Sequence, residues 1–115
     1  MTLDLAQKSI ESAFRNPQLM AAALALAEDR LSDAEPLLRA HLKQHPTDVA
    51  AIRLMAELAA RIGRLKDSEA LLRRALELAP SFGAARANLA TVLYKQNRFA
   101  DAVVEEITAT LSRIG

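Results

Sequence analysis

A 34-residue interval recurs along this chain, and it limits the possible folds more than any other feature. Arg30, Arg64 and Arg98 are separated by it, as are Asp33, Asp67 and Asp101. Leu31, Leu65 and Phe99 follow the same spacing, and so do Ala22, Ala56 and Ala90. Ala34, Ser68 and Ala102 form a second small-residue set, and Leu24, Leu58 and Val92 an apolar one. Pro46 and Pro80 close the first two units. Many positions agreeing on one period is the signature of a repeat architecture. The most regular copy, residues 49–80, holds two helical patterns separated by Gly63. Such a pair of helices cannot bury its apolar face alone and must stack on neighbours.

Composition agrees with stacked helices. Half of the 115 residues are hydrophobic (51%) but only 3% are aromatic, so the core must be built from Leu and Ala. Glycine and β-branched residues are scarce, which argues against strands. A net charge of +1 lacks the basic excess of a nucleic-acid binder. There is no cysteine for disulfides or thiol chemistry, which fits a cytoplasmic protein. The N-terminus lacks the apolar core of a signal peptide. The longest apolar run, residues 19–27, is well short of the roughly 20 residues a membrane span needs.

The pattern predicts seven helices. A short one near Thr2 to Ser12 lies outside the repeat register and would cap the stack, giving a 1–14 capping segment. Repeat 1 then covers 15–48, repeat 2 covers 49–82 and repeat 3 covers 83–115. Asn16-Pro17 reads as a cap followed by proline at the first helical position. Ser32 and Glu35 have the spacing of a capping box, with Pro36 expected in that helix's first turn. Thr47 and Ser81 are the expected caps of the first helices of repeats 2 and 3. Gly63 and Asn97 are placed to end helices in the left-handed conformation. Small residues at Ala56 and Ser68 let paired helices touch, Leu58, Leu65 and Leu72 fill between them, and Ala75 admits the next pair.

Within this register, Ile52, Met55, Ala56, Ala59, Ser68, Leu72, Ala75 and Pro80 occupy the key places of the tetratricopeptide (TPR) motif. The chain thus resembles an Ala/Leu-rich TPR protein over residues 16–111. That resemblance implies an all-α, right-handed superhelix of three repeats, a protein-interaction scaffold whose first helices line a concave, peptide-binding groove. The phrase GRLKDSEALLRRALELAPSFGAAR is also similar to the bacterial TPR region that precedes sulfotransferase-like enzymes, which implies an alternative role as a structural or dimerisation domain beside an enzyme.

The groove-facing line in repeat 2 is Arg53, Glu57 and Arg61. In repeat 3 the line is Ala87, Thr91 and Lys95, with Asn88 and Tyr94 beside it, and in repeat 1 it is Leu19, Ala23 and Ala27. The groove is therefore expected to be apolar at one end and slightly basic at the other, with Arg53, Glu57, Arg61, Asn88, Thr91, Tyr94 and Lys95 available to a protein or peptide. The carboxylate clamp by which some TPR domains hold chaperone C-termini would fall on Leu19, Ala23, Leu54, Ala84 and Asn88. Only Asn88 suits it. His41 and His45 are four apart but have no third metal ligand nearby, and His41 is expected to fill a packing gap or face solvent. No phosphate loop or nucleophile motif is present, so neither an enzyme nor a cofactor is expected. The last helix departs from the pattern. Glu105-Glu106 stands where earlier repeats have Leu-Leu, and Val103, Val104, Ile107, Leu111 and Ile114 form a shifted apolar stripe. Either the helix is rotated or the stripe is a contact surface, with a homodimer as one outcome.

Overall fold

The computed structural model describes residues 16–114, all helices and turns with no strand among them. The six helices are α1 (Pro17–Ala27), α2 (Leu31–Gln44), α3 (Val49–Arg61), α4 (Leu65–Leu78), α5 (Gly83–Lys95) and α6 (Phe99–Ile114). They form three antiparallel pairs that stack in chain order, and α3 also touches α1 and α5. This is a helical-repeat solenoid. The expected capping helix at 1–14 lies outside the described residues.

The three turns within the pairs share one geometry. Asp29, Gly63 and Asn97 hold φ of 59°, 84° and 63°. The amides of the following residues reach five back, Arg30 to Ala25, Arg64 to Ala59 and Arg98 to Leu93, at 2.7–2.9 Å. These are Schellman closures, which satisfy the last carbonyls of α1, α3 and α5. Each following helix starts on the recurrent arginine. Arg30 pairs with Asp33, Arg64 with Asp67 and Arg98 with Asp101. The aspartate sits in the first turn, where the helix dipole favours it.

Several local expectations change. α2 starts at Leu31 with Arg30 as its cap and no side-chain cap bond, so Ser32 and Glu35 form no capping box. Glu35 pairs with Arg39 instead. Pro36 consequently falls in the second turn, inside the helix. Asp48, not Thr47, caps α3, accepting from the amides of Ala50 (3.2 Å) and Ala51 (3.4 Å). Phe82, not Ser81, is the cap residue of α5, and burial of its ring takes precedence over a polar cap there. Asn16 caps α1 as expected, its Oδ1 accepting from the Leu19 amide at 3.1 Å.

The core is two clusters that share α3. Leu19, Leu26 and Leu38 meet Ala51, Leu54 and Leu58 on one side. Val49, Ile52 and Ala56 meet Leu72, Leu76, Leu89 and Leu93 on the other. Small residues act as foreseen: the Ser68 hydroxyl, fully buried, donates to the Ala56 carbonyl at 2.7 Å where the helices touch. Leu24 differs from its repeat mates. Leu58 and Val92 are buried, whereas Leu24 is 57% exposed.

Between repeats 1 and 2, His41 is buried and its Nε2 lies 2.7 Å from Asp48 Oδ2. One period later the same two places hold Ala75 and Phe82, both in the core. The joint thus uses a polar pair in one repeat and a small–large apolar pair in the next. Between repeats 2 and 3, Glu69 accepts from Gln96, Arg73 and Arg98 at 2.8–3.0 Å. Burial works to raise the Glu69 pKa, but these three donors outweigh it and hold the carboxyl below its ordinary value. Its stabilisation is present above the unfolded carboxylate pKa and is lost as pH falls through the lower, folded value.

Two predictions follow from these joints. A Cβ at residue 63 or 83 would meet nothing within 4 Å, so only backbone conformation decides the effect. Gly63→Ala should destabilise by about 1 kcal/mol, and Gly83→Ala should stabilise by up to ~0.5 kcal/mol, in urea unfolding. Asp48→Phe alone strands buried His41 and removes a cap, costing about 2–3 kcal/mol. The double change His41→Ala/Asp48→Phe copies the next joint and should recover at least half of that loss in a double-mutant cycle.

Candidate functional site

The sequence-expected groove residues fall on α3 and α5, and the structure draws most of them together. A recess of about 210 Å³ opens between α3, α4 and α5. Glu57, Arg61, Asn88, Thr91 and Lys95 form its polar wall, and Ala60, Leu72 and Val92 lie beneath. Thr91 also borders a wider depression of about 690 Å³ along α5 and α6, where Gly83, Ala84, Ala87, Glu106 and Thr110 are exposed or partly so. The two depressions meet at Thr91.

The two arginines are engaged within the protein. Arg53 Nη1 donates to Asn88 Oδ1 at 3.1 Å, joining α3 to α5. Arg61 reaches the other way: its Nη1 donates to the Leu26 carbonyl near the end of α1 and lies 3.7 Å from Asp29. A cation there also suits the negative end of the α1 dipole. Glu57 stands between them, 3.2 Å from Arg61 and 4.0 Å from Arg53. Both ties span 35 residues, one more than the period, because equivalent helices lie side by side.

Lys95 is different. It is exposed, and no ion pair or hydrogen bond engages it among the described residues. Thr91 returns its hydroxyl to the Ala87 carbonyl at 3.2 Å. Tyr94 is not drawn into the recess. It is 62% exposed and packs edge-on against Phe99 at 4.9 Å. In repeat 1, Leu19 is buried in the core and cannot line the groove. Among the described residues no group of three or more His, Cys, Asp or Glu could hold a metal. His41 is taken by Asp48, with the His45 ring 4.8 Å away. No described helix is long and apolar enough to cross a membrane.

The arginine ties make a stability prediction. Arg61→Met should cost about 1–2 kcal/mol, reduced from a buried charge-assisted bond by its partial exposure. Lys95→Met should stay within about 0.5 kcal/mol of the parent. Equal urea midpoints for the two variants would contradict the structural role of Arg61.

Comparison with known proteins agrees with the fold. The tetratricopeptide repeat model matches residues 25–81 and 63–105. The structure is similar to "MamA MSR-1 C2" with a TM-score of 0.75 and 17% identity, covering 94% of this chain and 63% of that one. It is also similar to "MamA D159K mutant 1", with a TM-score of 0.71 and 16% identity over 93% of this chain and 65% of that one. The chain thus spans less than two thirds of these MamA structures. At such identity the likeness speaks for the fold alone. No curated protein sequence matches significantly. The expected similarity to sulfotransferase-associated repeats gains no support from these matches. The repeat period, the stacked helix pairs and the matched segments together show that the chain belongs to the tetratricopeptide repeat family.

Proposed function

We propose that the chain is a protein-interaction module that holds an acidic segment of another protein against α5. Family membership supports the general role, since TPR modules bind peptides and protein surfaces. The observation that carries the finer reading is Lys95, an unengaged cation at the edge of a recess whose other charges are already balanced. Glu57 is neutralised by its flanking arginines, which leaves the recess with a net positive field. A carboxylate from the partner would complete Lys95 with a charge-assisted bond. Asn88 has its oxygen held by Arg53, so its amide nitrogen is the donor left for a partner's backbone carbonyl. The small side chains at Ala84 and Ala87 let a backbone approach closely farther along the helix. Arg53 and Arg61 act by fixing the spacing of α1, α3 and α5.

A peptide library selected on the purified protein tests this directly. Enriched sequences should carry Asp or Glu, and Lys95→Glu should weaken their binding at least tenfold, about 1.4 kcal/mol. Lys43→Glu, an exposed change on α2, should leave affinity unaltered. Peptides that bind the Lys95→Glu protein as tightly as the parent would contradict the assignment.

A further inference from the structure

The last helix keeps its place but exchanges its faces. Ala102 is 2% exposed, as buried as its equivalents Ala34 and Ser68, so α6 is not rotated relative to α2 and α4. The outward positions are what changed. α2 and α4 carry the ion pairs Glu35–Arg39 and Glu69–Arg73 there. α6 carries Val103 and Ile107 at those same two places. Inward, Leu37-Leu38 and Leu71-Leu72 are replaced by Glu105-Glu106. Glu105 is held by Arg86 at 2.8 Å and Glu106 is exposed. Polarity has moved to the face where a following pair would stack, and apolar residues to positions that carry ion pairs in the other two repeats.

That outer face is self-complementary. Val104, Ile107, Leu111 and Ile114 are 59%, 54%, 62% and 78% exposed. Their spacing of three, four and three residues reads the same in both directions. It is also the seam spacing of paired helices. An antiparallel two-fold pairing would set Ile107 against Leu111 and Val104 against Ile114 across the axis. The flanks allow such a contact to form dry. Thr108 and Thr110 bond back to the carbonyls of Val104 and Glu106 at 2.8 and 3.0 Å, so their hydroxyls are satisfied within the helix. Asp101, in the first turn of α6, is held by Arg98.

We infer that the outer face of α6 is a homodimer interface, occupied by α6 of a second copy in antiparallel orientation. With Val103, also half exposed, beside them, these side chains supply on the order of 500 Å² per copy, short of a full interface. A standard interface uses about 800 Å² per partner. The dimer is therefore weak and reversible, with a Kd of tens to hundreds of micromolar. It leaves the concave surface of α5 open and places two such surfaces in one particle, so it would raise avidity for a repeated partner.

Sedimentation equilibrium from about 1 µM to about 1 mM brackets that range. The parent should pass from monomer to dimer. Val103→Glu/Ile107→Arg restores the ion pair of the other two repeats, so it should keep the parent's helical circular dichroism and melting temperature while staying monomeric. The chain has no cysteine, so mixing Ile107→Cys with Leu111→Cys protein under mild oxidation reads the register. The mixed disulfide should dominate over either symmetric one. A parent that stays monomeric throughout, a restored-pair variant that dimerises equally well, or a dominance of symmetric cross-links would each overturn the inference.

Discussion

The structure depends on α3 being buried from two sides. A helix pair of this kind has an apolar face on each flank, and only stacking removes both from water. α3 satisfies that requirement with two sets of residues. Ala51, Leu54 and Leu58 turn to the first pair, and Val49, Ile52 and Ala56 turn to the second and third. Alanine is what permits this, because fully buried Ala51 and Ala56 let neighbours approach from both directions. The polar remainder of the helix, Arg53, Glu57 and Arg61, is thereby confined to the concave surface. Position and chemistry of the groove are both consequences of that confinement.

The three pairs solve one problem with small local variations. The left-handed residue is Asp29, Gly63 or Asn97, and the closure around it is the same. The joint between pairs is His41–Asp48 in one place and Ala75–Phe82 in the other. The third pair alone breaks the scheme, and it does so by exchanging the faces of α6, not by losing its packing. Both surfaces proposed above for contact with other proteins are departures from the repeat. They are Lys95, which no described residue engages, at the recess between α3, α4 and α5, and the exposed apolar stripe on α6.

Much of this was legible in the sequence, for a physical reason. Period, the six helices of the repeats, small contact sites and the left-handed turns at Gly63 and Asn97 are properties of local pattern, and all of these appear in the structure for the described residues. Caps were less legible. Thr47, Ser32 and Ser81 are good caps in isolation, but Asp48, Arg30 and Phe82 take those places because helix ends are set by the pairing and burial of neighbouring side chains. The roles of Arg53 and Arg61 were also hidden. A charged line on an exposed face looks available to a ligand, and only the side-by-side placement of α1, α3 and α5 shows where the guanidinium groups reach. His41 is the same case, since its partner Asp48 lies across a helix–helix turn.

The most direct test of the account is an amide chemical-shift titration of the full chain with an acidic peptide selected on it. The account predicts perturbations centred on Asn88, Thr91 and Lys95 of α5, extending to Glu57 and Arg61 of α3. Perturbations confined to the outer faces of α2 and α4, with α5 silent, would contradict it.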